Sequence, residues 1–219
     1  MAPRVGVVLS GCGFQDGAEI HESVLTLLAL DRAGAEVQCF APDIAQTRVV
    51  NHLTGDEVEE TRNVLVESAR IARGADRDLK EARVEDLDAL VLPGGFGAAL
   101  NLSDFAVHGP AGSVNEDLAS LLRAMHAARK PIGAICIAPA VIARALGAEG
   151  PTLTIGNDPG TAEAIQTCGA AHEECPVDAF VVDLEHRIVS TPAYMLGPGV
   201  KDVAAGIEQC IAEVLRLVD

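Results

Sequence analysis

Residues 133–140 read GAICIAPA and place one cysteine in an otherwise apolar run. The apolar residues 131–135 predict a short buried strand. The residues from 138 onward predict a helix whose proline lies in the first turn, where a missing N–H does no harm. Cys136 is therefore predicted to sit at the joint between a strand and a helix.

The rest of the chain alternates in the same way between short apolar runs and longer amphipathic segments. Strands are predicted at residues 5–9, 37–41, 89–92, 153–155, 180–183 and 187–190, and helices at 19–33, 115–128, 161–167 and 203–217. Residues 64–66 are a candidate extra strand, and residues 98–114 are predicted to form a long loop. This alternation predicts a doubly wound α/β sandwich with a parallel sheet, as a single domain over residues 1–219.

Charge and composition exclude several classes of partner. The formal net charge is −16, so we expect neither nucleic acid nor an anionic membrane surface to bind. No run reaches the roughly 18 continuous apolar residues of a membrane span, and no signal peptide is expected. The six cysteines form no C-x-x-C pair. That spacing predicts reduced thiols in a cytoplasmic protein and no metal site.

Cys136 is the first candidate for chemistry. A nucleophile on a sharp strand-to-helix turn projects from the edge of the sheet, above the N-terminus of the following helix. The positive end of the helix dipole lowers the pKa of a thiol, and the thiolate is the reactive form. We therefore expect Cys136 to be the most acidic of the six thiols. The alternative is a buried, inert cysteine, which is common in protein cores.

Two further candidates follow other predicted strands. Gly94 and Gly95 come directly after the strand at 89–92, where glycines can present backbone N–H groups to an anion. Together with the N–H of Ile137 they are a candidate oxyanion hole, or alternatively an ordinary glycine turn. Glu22 lies early in the first helix, after a glycine-rich loop at residues 11–17. A carboxylate in that position is a candidate acid or base, or simply a favourable partner of the helix dipole.

Three motifs in this order resemble the PfpI superfamily, which has the class I glutamine-amidotransferase-like fold. They are GAEIHESV at 17–24, VLPGGFG at 91–97 and AICIAPA at 134–140. The loop SGCGFQDGAEIHES at 10–23, with the later CPVDAFVVD and TPAYMLG, is similar to the ElbB branch of that superfamily. That branch is named for a glyoxalase associated with isoprenoid biosynthesis. The resemblance covers nearly the whole chain.

The resemblance implies a fold and a set of roles. The fold is a flavodoxin-like three-layer sandwich with a mostly parallel sheet and a nucleophile elbow at Cys136. Glu22 matches the acidic residue that hydrogen-bonds this cysteine, and Gly95 and Ile137 match the backbone oxyanion donors. The implied activity is that of a cofactor-independent glyoxalase, a lyase that turns glyoxal into glycolate through a cysteine hemithioacetal. A homodimer is also implied.

One position departs from the hydrolytic members of the superfamily, which often have histidine directly after the nucleophile. Here that residue is Ile137, and isoleucine cannot transfer a proton, so we expect a slow enzyme. His21 adjoins Glu22 but points about 100° away on a helix. His108 lies in the predicted long loop and is free to fold over the site.

Other functions remain open at this stage. The same chemistry would suit a deglycase that removes early aldehyde adducts. A non-enzymatic thiol sensor or stress-linked binding protein on the same fold is the main alternative, because a peroxide-sensitive thiol needs similar surroundings. A glutamine amidotransferase half-enzyme is a weaker alternative, since no histidine and glutamate pair is evident late in the chain.

Overall fold

The computed structural model describes residues 1–218. The strands are β1 Arg4–Val8, β2 Glu36–Ala41, β3 Asp76–Asp78, β4 Ala89–Leu92, β5 Ile132–Ile135, β6 Thr152–Leu153, β7 Ala171–His172, β8 Val181–Asp183 and β9 Ile188–Thr191. The α-helices are α1 Ile20–Arg32, α2 Val64–Ile71, α3 Phe96–Leu100, α4 Phe105–His108, α5 Glu116–Ala127, α6 Ala138–Leu146, α7 Pro159–Thr167 and α8 Val200–Arg216.

Seven strands form one sheet in the order β3-β2-β1-β4-β5-β9-β8, and β6 pairs with β7 in a small second sheet. Neighbours in the large sheet are parallel, except for the antiparallel pair β8 and β9. The predicted α/β fold with a mostly parallel sheet is therefore confirmed. Because β1, β4 and β5 are adjacent, the segments that follow them meet at one edge of the sheet.

Helices cover both faces of this sheet, which gives the chain two apolar cores. Strand β4 shows the alternation: Leu90 and Leu92 pack into one core, while Ala89 and Val91 pack into the other. The first core receives α5 and α6, and the second receives α1 and α8. Alternate residues of a strand point to opposite faces, so a strand buried on both sides reads as a continuous apolar run.

Two local predictions are wrong. Residues 64–66 begin helix α2, because the side chain of Asn63 accepts from the N–H of Val66 at 3.0 Å and caps a helix there. The predicted loop at 98–114 contains helices α3 and α4. Within the described chain, no helix combines the length and the apolar character needed to cross a membrane.

Candidate active site

Cys136 occupies the sharp turn between β5 and α6. Its φ is +62°, in the left-handed region that residues with a Cβ rarely adopt. Such a conformation costs about 1–3 kcal/mol and persists only where the surroundings fix it. Here the Cys136 N–H donates to the carbonyl of Thr191 at 2.9 Å, and Pro139 lies in the first turn of α6. Cys136 is 7% exposed, so only a small part of the residue is open to solvent.

Glu22 lies fully buried against this thiol, as the resemblance predicted. Helix α1 presents it from the neighbouring part of the sheet edge, and the side chain of Glu19 caps the helix by accepting from the Glu22 N–H at 2.7 Å. Both carboxyl oxygens of Glu22 have backbone partners. Oε2 accepts from the N–H of Gly94 at 2.9 Å, and Oε1 accepts from the N–H of Tyr194 at 3.2 Å. The Cys136 thiol hydrogen-bonds the same carboxyl group.

This environment changes the protonation of Glu22. Burial first, and the nearby Glu19 carboxylate second, raise the pKa of Glu22 from its ordinary 4.5 to about 8, although the hydrogen bonds from Tyr194, Cys136 and Gly94 oppose the shift. The carboxyl group is therefore mostly protonated at neutral pH. A buried carboxyl that keeps its proton at pH 7 can donate it to a reacting oxygen.

The expectation of an unusually acidic Cys136 thiol is wrong. Burial, followed by the Glu22 carboxylate, raises the pKa of Cys136 well above its ordinary value. The backbone N–H groups of Gly95 and Ile137 point at the sulfur and act in the opposite direction. Desolvation disfavours any charge in a buried site, and at Cys136 it outweighs the helix dipole. Cys136 and Glu22 form a coupled pair, and after its first proton leaves, the two groups share the one that remains.

The three predicted oxyanion donors divide into two kinds. The N–H groups of Gly95 and Ile137 face the sulfur, where they can stabilise negative charge. The N–H of Gly94 is bonded to Glu22 instead, so its prediction as an oxyanion donor is wrong. Glycine is required at 94 for space, since a Cβ there would lie 2.4 Å from the Cβ of Cys136 and 2.6 Å from Oε2 of Glu22.

Tyr194 is a site residue that the sequence reasoning missed. It follows Ala193, whose φ of +44° places this turn in the left-handed region, and its N–H reaches Glu22. Its hydroxyl pairs with Nδ1 of His21 at 2.8 Å. The TPAYMLG motif was the available signal, but a backbone contact between residues 172 positions apart leaves no mark in local sequence.

Histidine takes no part in the Cys136–Glu22 pair within residues 1–218. His21 is exposed and bonded to Tyr194, and His108 is an exposed residue at the end of α4. His126 and His186 pair with each other at 3.0 Å. The described residues contain no group of three or more His, Cys, Asp or Glu side chains arranged to hold a metal ion.

Comparisons with known proteins agree with this geometry. The model of the DJ-1/PfpI family matches residues 12–185, which include Glu22, Gly95 and Cys136. A human protein named glutamine amidotransferase-like class 1 domain-containing protein 3, mitochondrial, is 46% identical and aligns over 99% of this chain and 84% of its own length. A rat protein named ES1 protein homolog, mitochondrial, is 44% identical over 98% of this chain and 84% of its own.

Solved structures extend the likeness to the fold. An isoprenoid biosynthesis protein with amidotransferase-like domain from Ehrlichia chaffeensis superposes with a TM-score of 0.93, is 40% identical and covers 100% of both chains. DJ-1beta from Drosophila melanogaster, with a TM-score of 0.54 and 21% identity over 99% of this chain and 97% of its own, shares the fold alone.

The comparisons bear on two predictions, the location of the protein and the family to which it belongs. A cytoplasmic location is wrong on this comparison, because the human and rat relatives are both named as mitochondrial. Reduced thiols indicate only a reducing compartment, and the cytoplasm is not the sole one. The family model, by contrast, matches most of the chain and includes the cysteine turn, so this chain belongs to the DJ-1/PfpI family.

Proposed function

We propose that the protein is a slow, cofactor-independent glyoxalase of the ElbB type. The observation that carries the proposal is the contact between the Cys136 thiol and a protonated Glu22, with the N–H groups of Gly95 and Ile137 directed at the sulfur. The name of the Ehrlichia chaffeensis relative also supports the ElbB assignment, because it links that protein to isoprenoid biosynthesis.

The reaction begins on the form of the pair with its proton on Glu22 and its charge on sulfur. The thiolate adds to one carbonyl carbon of glyoxal, a C–S bond forms, and the carbonyl oxygen takes the proton from Glu22. This step gives a hemithioacetal. Because the pair loses its first proton only near pH 8, this form is scarce at neutral pH and the enzyme is slow.

Glu22 then acts as a base. Its carboxylate removes the hydrogen of the hemithioacetal carbon as a proton, which gives an enediolate. The proton returns to the second carbon and the hydroxyl proton of the first carbon passes to the oxygen of the second, which leaves a hydroxyacetyl thioester on Cys136. Water hydrolyses the thioester, releasing glycolate and restoring the thiol. The sum is glyoxal plus water to glycolic acid, so no external oxidant or reductant is consumed. The same intermediates allow removal of early aldehyde adducts from amino or thiol groups.

The test is glycolate formation from glyoxal by the purified protein, measured beside Cys136→Ser. The wild type is expected to form glycolate, and the variant, which keeps nearly the same side-chain volume, is expected to form none above background. Equal rates in both proteins would refute the proposal. If neither forms glycolate but peroxide oxidises Cys136 before the other five thiols, the thiol-sensor function is favoured instead. The small aldehyde partner and the homodimer stay predictions.

A further inference from the structure

Two half-exposed phenylalanines lie side by side at the sheet edge. Phe14 is 49% exposed and Phe96 is 48% exposed, and the Phe96 N–H donates to the Phe14 carbonyl at 2.7 Å. The whole chain has only five phenylalanines. Exposing two of their rings to water in one place gives up the free energy that their burial would provide. A cluster of exposed apolar side chains often marks a surface that contacts a ligand or another protein.

Both residues belong to segments that build the candidate active site. Phe96 directly follows Gly95, whose N–H faces the sulfur of Cys136. Phe14 lies in the glycine-rich loop that leads into α1 and thus to Glu22. The two rings are therefore at the margin of the site.

Arg48 adds a positive charge to this margin. Its guanidinium carbon lies 5.9 Å from the centroid of the Phe96 ring, and Nη2 donates to the carbonyl of Gln15 at 3.0 Å. Its Nε is buried and has no hydrogen-bond partner. By contrast, Arg70 is held by Glu67 at 2.9 Å.

The charge of Arg48 is not neutralised by the protein. Among residues 1–218, no carboxylate lies within 4.0 Å of its guanidinium group. This is an unusual surrounding in a chain whose net charge is −16, because acidic side chains are twice as numerous as basic ones. A guanidinium group with spare donors binds carboxylate and phosphate groups well.

We propose that Arg48, with Phe14 and Phe96, forms a subsite for an anionic group. The substrate class is then an aldehyde that carries a carboxylate or phosphate beside an apolar portion. The apolar portion would contact the two rings, and the anion would accept from the terminal N–H groups of Arg48 that the Gln15 carbonyl does not use. The inference rests on the proposed function only in naming Cys136 as the thiol that reacts with the aldehyde.

Alkylation of Cys136 tests the subsite without requiring turnover. Iodoacetate and iodoacetamide are close in size and differ in charge, and 4-carboxyphenylmaleimide and phenylmaleimide form a longer pair. For each pair, the ratio of the anionic to the neutral rate at Cys136 is measured by peptide mass spectrometry at low ionic strength. The proteins are the wild type, Arg48→Met, Arg48→Lys and the control Arg123→Met, which removes an exposed charge from α5.

For at least one of the two pairs of reagents, Arg48→Met is expected to lower the anionic-to-neutral rate ratio about threefold to tenfold. That is the size of the interaction expected from a partly exposed charge. Arg48→Lys is expected to keep most of the ratio, and Arg123→Met to change it by less than about twofold, since distant surface charges are screened. An unchanged ratio in both pairs would overturn the proposal. So would an equal fall in Arg123→Met, or an equal slowing of the neutral and anionic reagents in Arg48→Met. The alkylation rates do not depend on glycolate formation. The result can therefore be interpreted even if the glyoxalase proposal fails.

Discussion

Cys136 and Cys210 are both buried thiols in the same apolar core, but the polar groups around them differ. Cys136 is 7% exposed and Cys210 is fully buried. Cys210 lies within α8 among aliphatic side chains, and burial raises the pKa of its thiol. Burial raises the pKa of Cys136 too, but Cys136 also has a positive φ, a carboxyl partner and two N–H groups directed at its sulfur.

The difference between the two thiols shows which features distinguish a candidate catalytic cysteine from a structural one. A buried cysteine with apolar neighbours behaves as a small hydrophobic residue. A buried cysteine in a strained turn, with a carboxyl group and two N–H groups beside its sulfur, is a candidate for chemistry. Four experiments can break or sharpen this comparison.

The largest effect is expected from removing each thiol in turn. Cys136→Ala should reduce glycolate formation to the uncatalysed background, because the covalent intermediate cannot form. Cys210→Ala should keep wild-type turnover and lose about 1 kcal/mol of stability from the smaller side chain in the core. Initial rates and denaturant unfolding of both variants are the measurements. Loss of turnover in Cys210→Ala with little change in stability would contradict the distinction between the two thiols.

Glu22→Gln should lower turnover by about 10²–10⁴, the usual contribution of a positioned acid or base. Iodoacetamide should still label Cys136, because the thiol and the N–H groups of Gly95 and Ile137 remain. The amide NH₂ would face a backbone N–H of Gly94 or Tyr194, which costs about 1–3 kcal/mol. Cys210 is the internal control, since its labelling would report unfolding. Wild-type turnover in a variant with unlabelled Cys210 would show that Glu22 is not the base.

Gly94→Ala should reduce both activity and stability, because the new Cβ would lie 2.4 Å from the Cβ of Cys136. We expect at least about a tenfold loss of turnover, as small displacements of catalytic groups have large effects. Gly34→Ala is the matched control. Gly34 has a φ of +73°, and a Cβ there would meet nothing within 4 Å. Its cost should be about 1–2 kcal/mol of backbone strain, with turnover unchanged. Equal losses of turnover in the two variants would mean that general destabilisation, and not contact with the site, is responsible.

The pH dependence of stability tests the protonation of Glu22 without reference to turnover. The pKa of Glu22 is about 8 in the folded protein and 4.5 ordinarily, so the folded state holds this proton more tightly. The stabilisation is complete below pH 4.5 and is lost as the pH rises to about 8. The free energy of unfolding of the wild type should therefore fall over this window relative to Glu22→Gln. Parallel curves for the two proteins would mean that Glu22 is already ionised at neutral pH.

The parts of the site that follow from sequence are the local ones. The strand before Cys136 and the proline after it lie within a few residues, so their pattern predicts the turn. The pairing of Glu22 with Cys136 came only from the resemblance, because no spacing rule joins residues so far apart. The bond from the N–H of Gly94 to Glu22, and the contact of Tyr194, depend on how distant segments meet.

The fold shows the same division. Strand β4 was predicted closely because a run buried on both faces is continuous and apolar. Helix α2 was not, because Val64, Leu65 and Val66 fit a strand or a helix equally well, and the cap at Asn63 decides between them.

The most direct test of the central claim is to find the covalent intermediate on the predicted sulfur. Glyoxal is added to the wild type and to Glu22→Gln, the reactions are stopped in acid within one turnover, and all six cysteine peptides are analysed by mass spectrometry. Because the thioester and the unrearranged adduct are isomers of equal mass, each modified peptide is then treated with hydroxylamine, which releases glycolohydroxamate only from the thioester. We expect a hydroxyacetyl thioester on Cys136 of the wild type, and only the unrearranged glyoxal adduct on Cys136 of Glu22→Gln. A hydroxyacetyl group on another cysteine, or equal amounts on Cys136 of both proteins, would contradict this expectation.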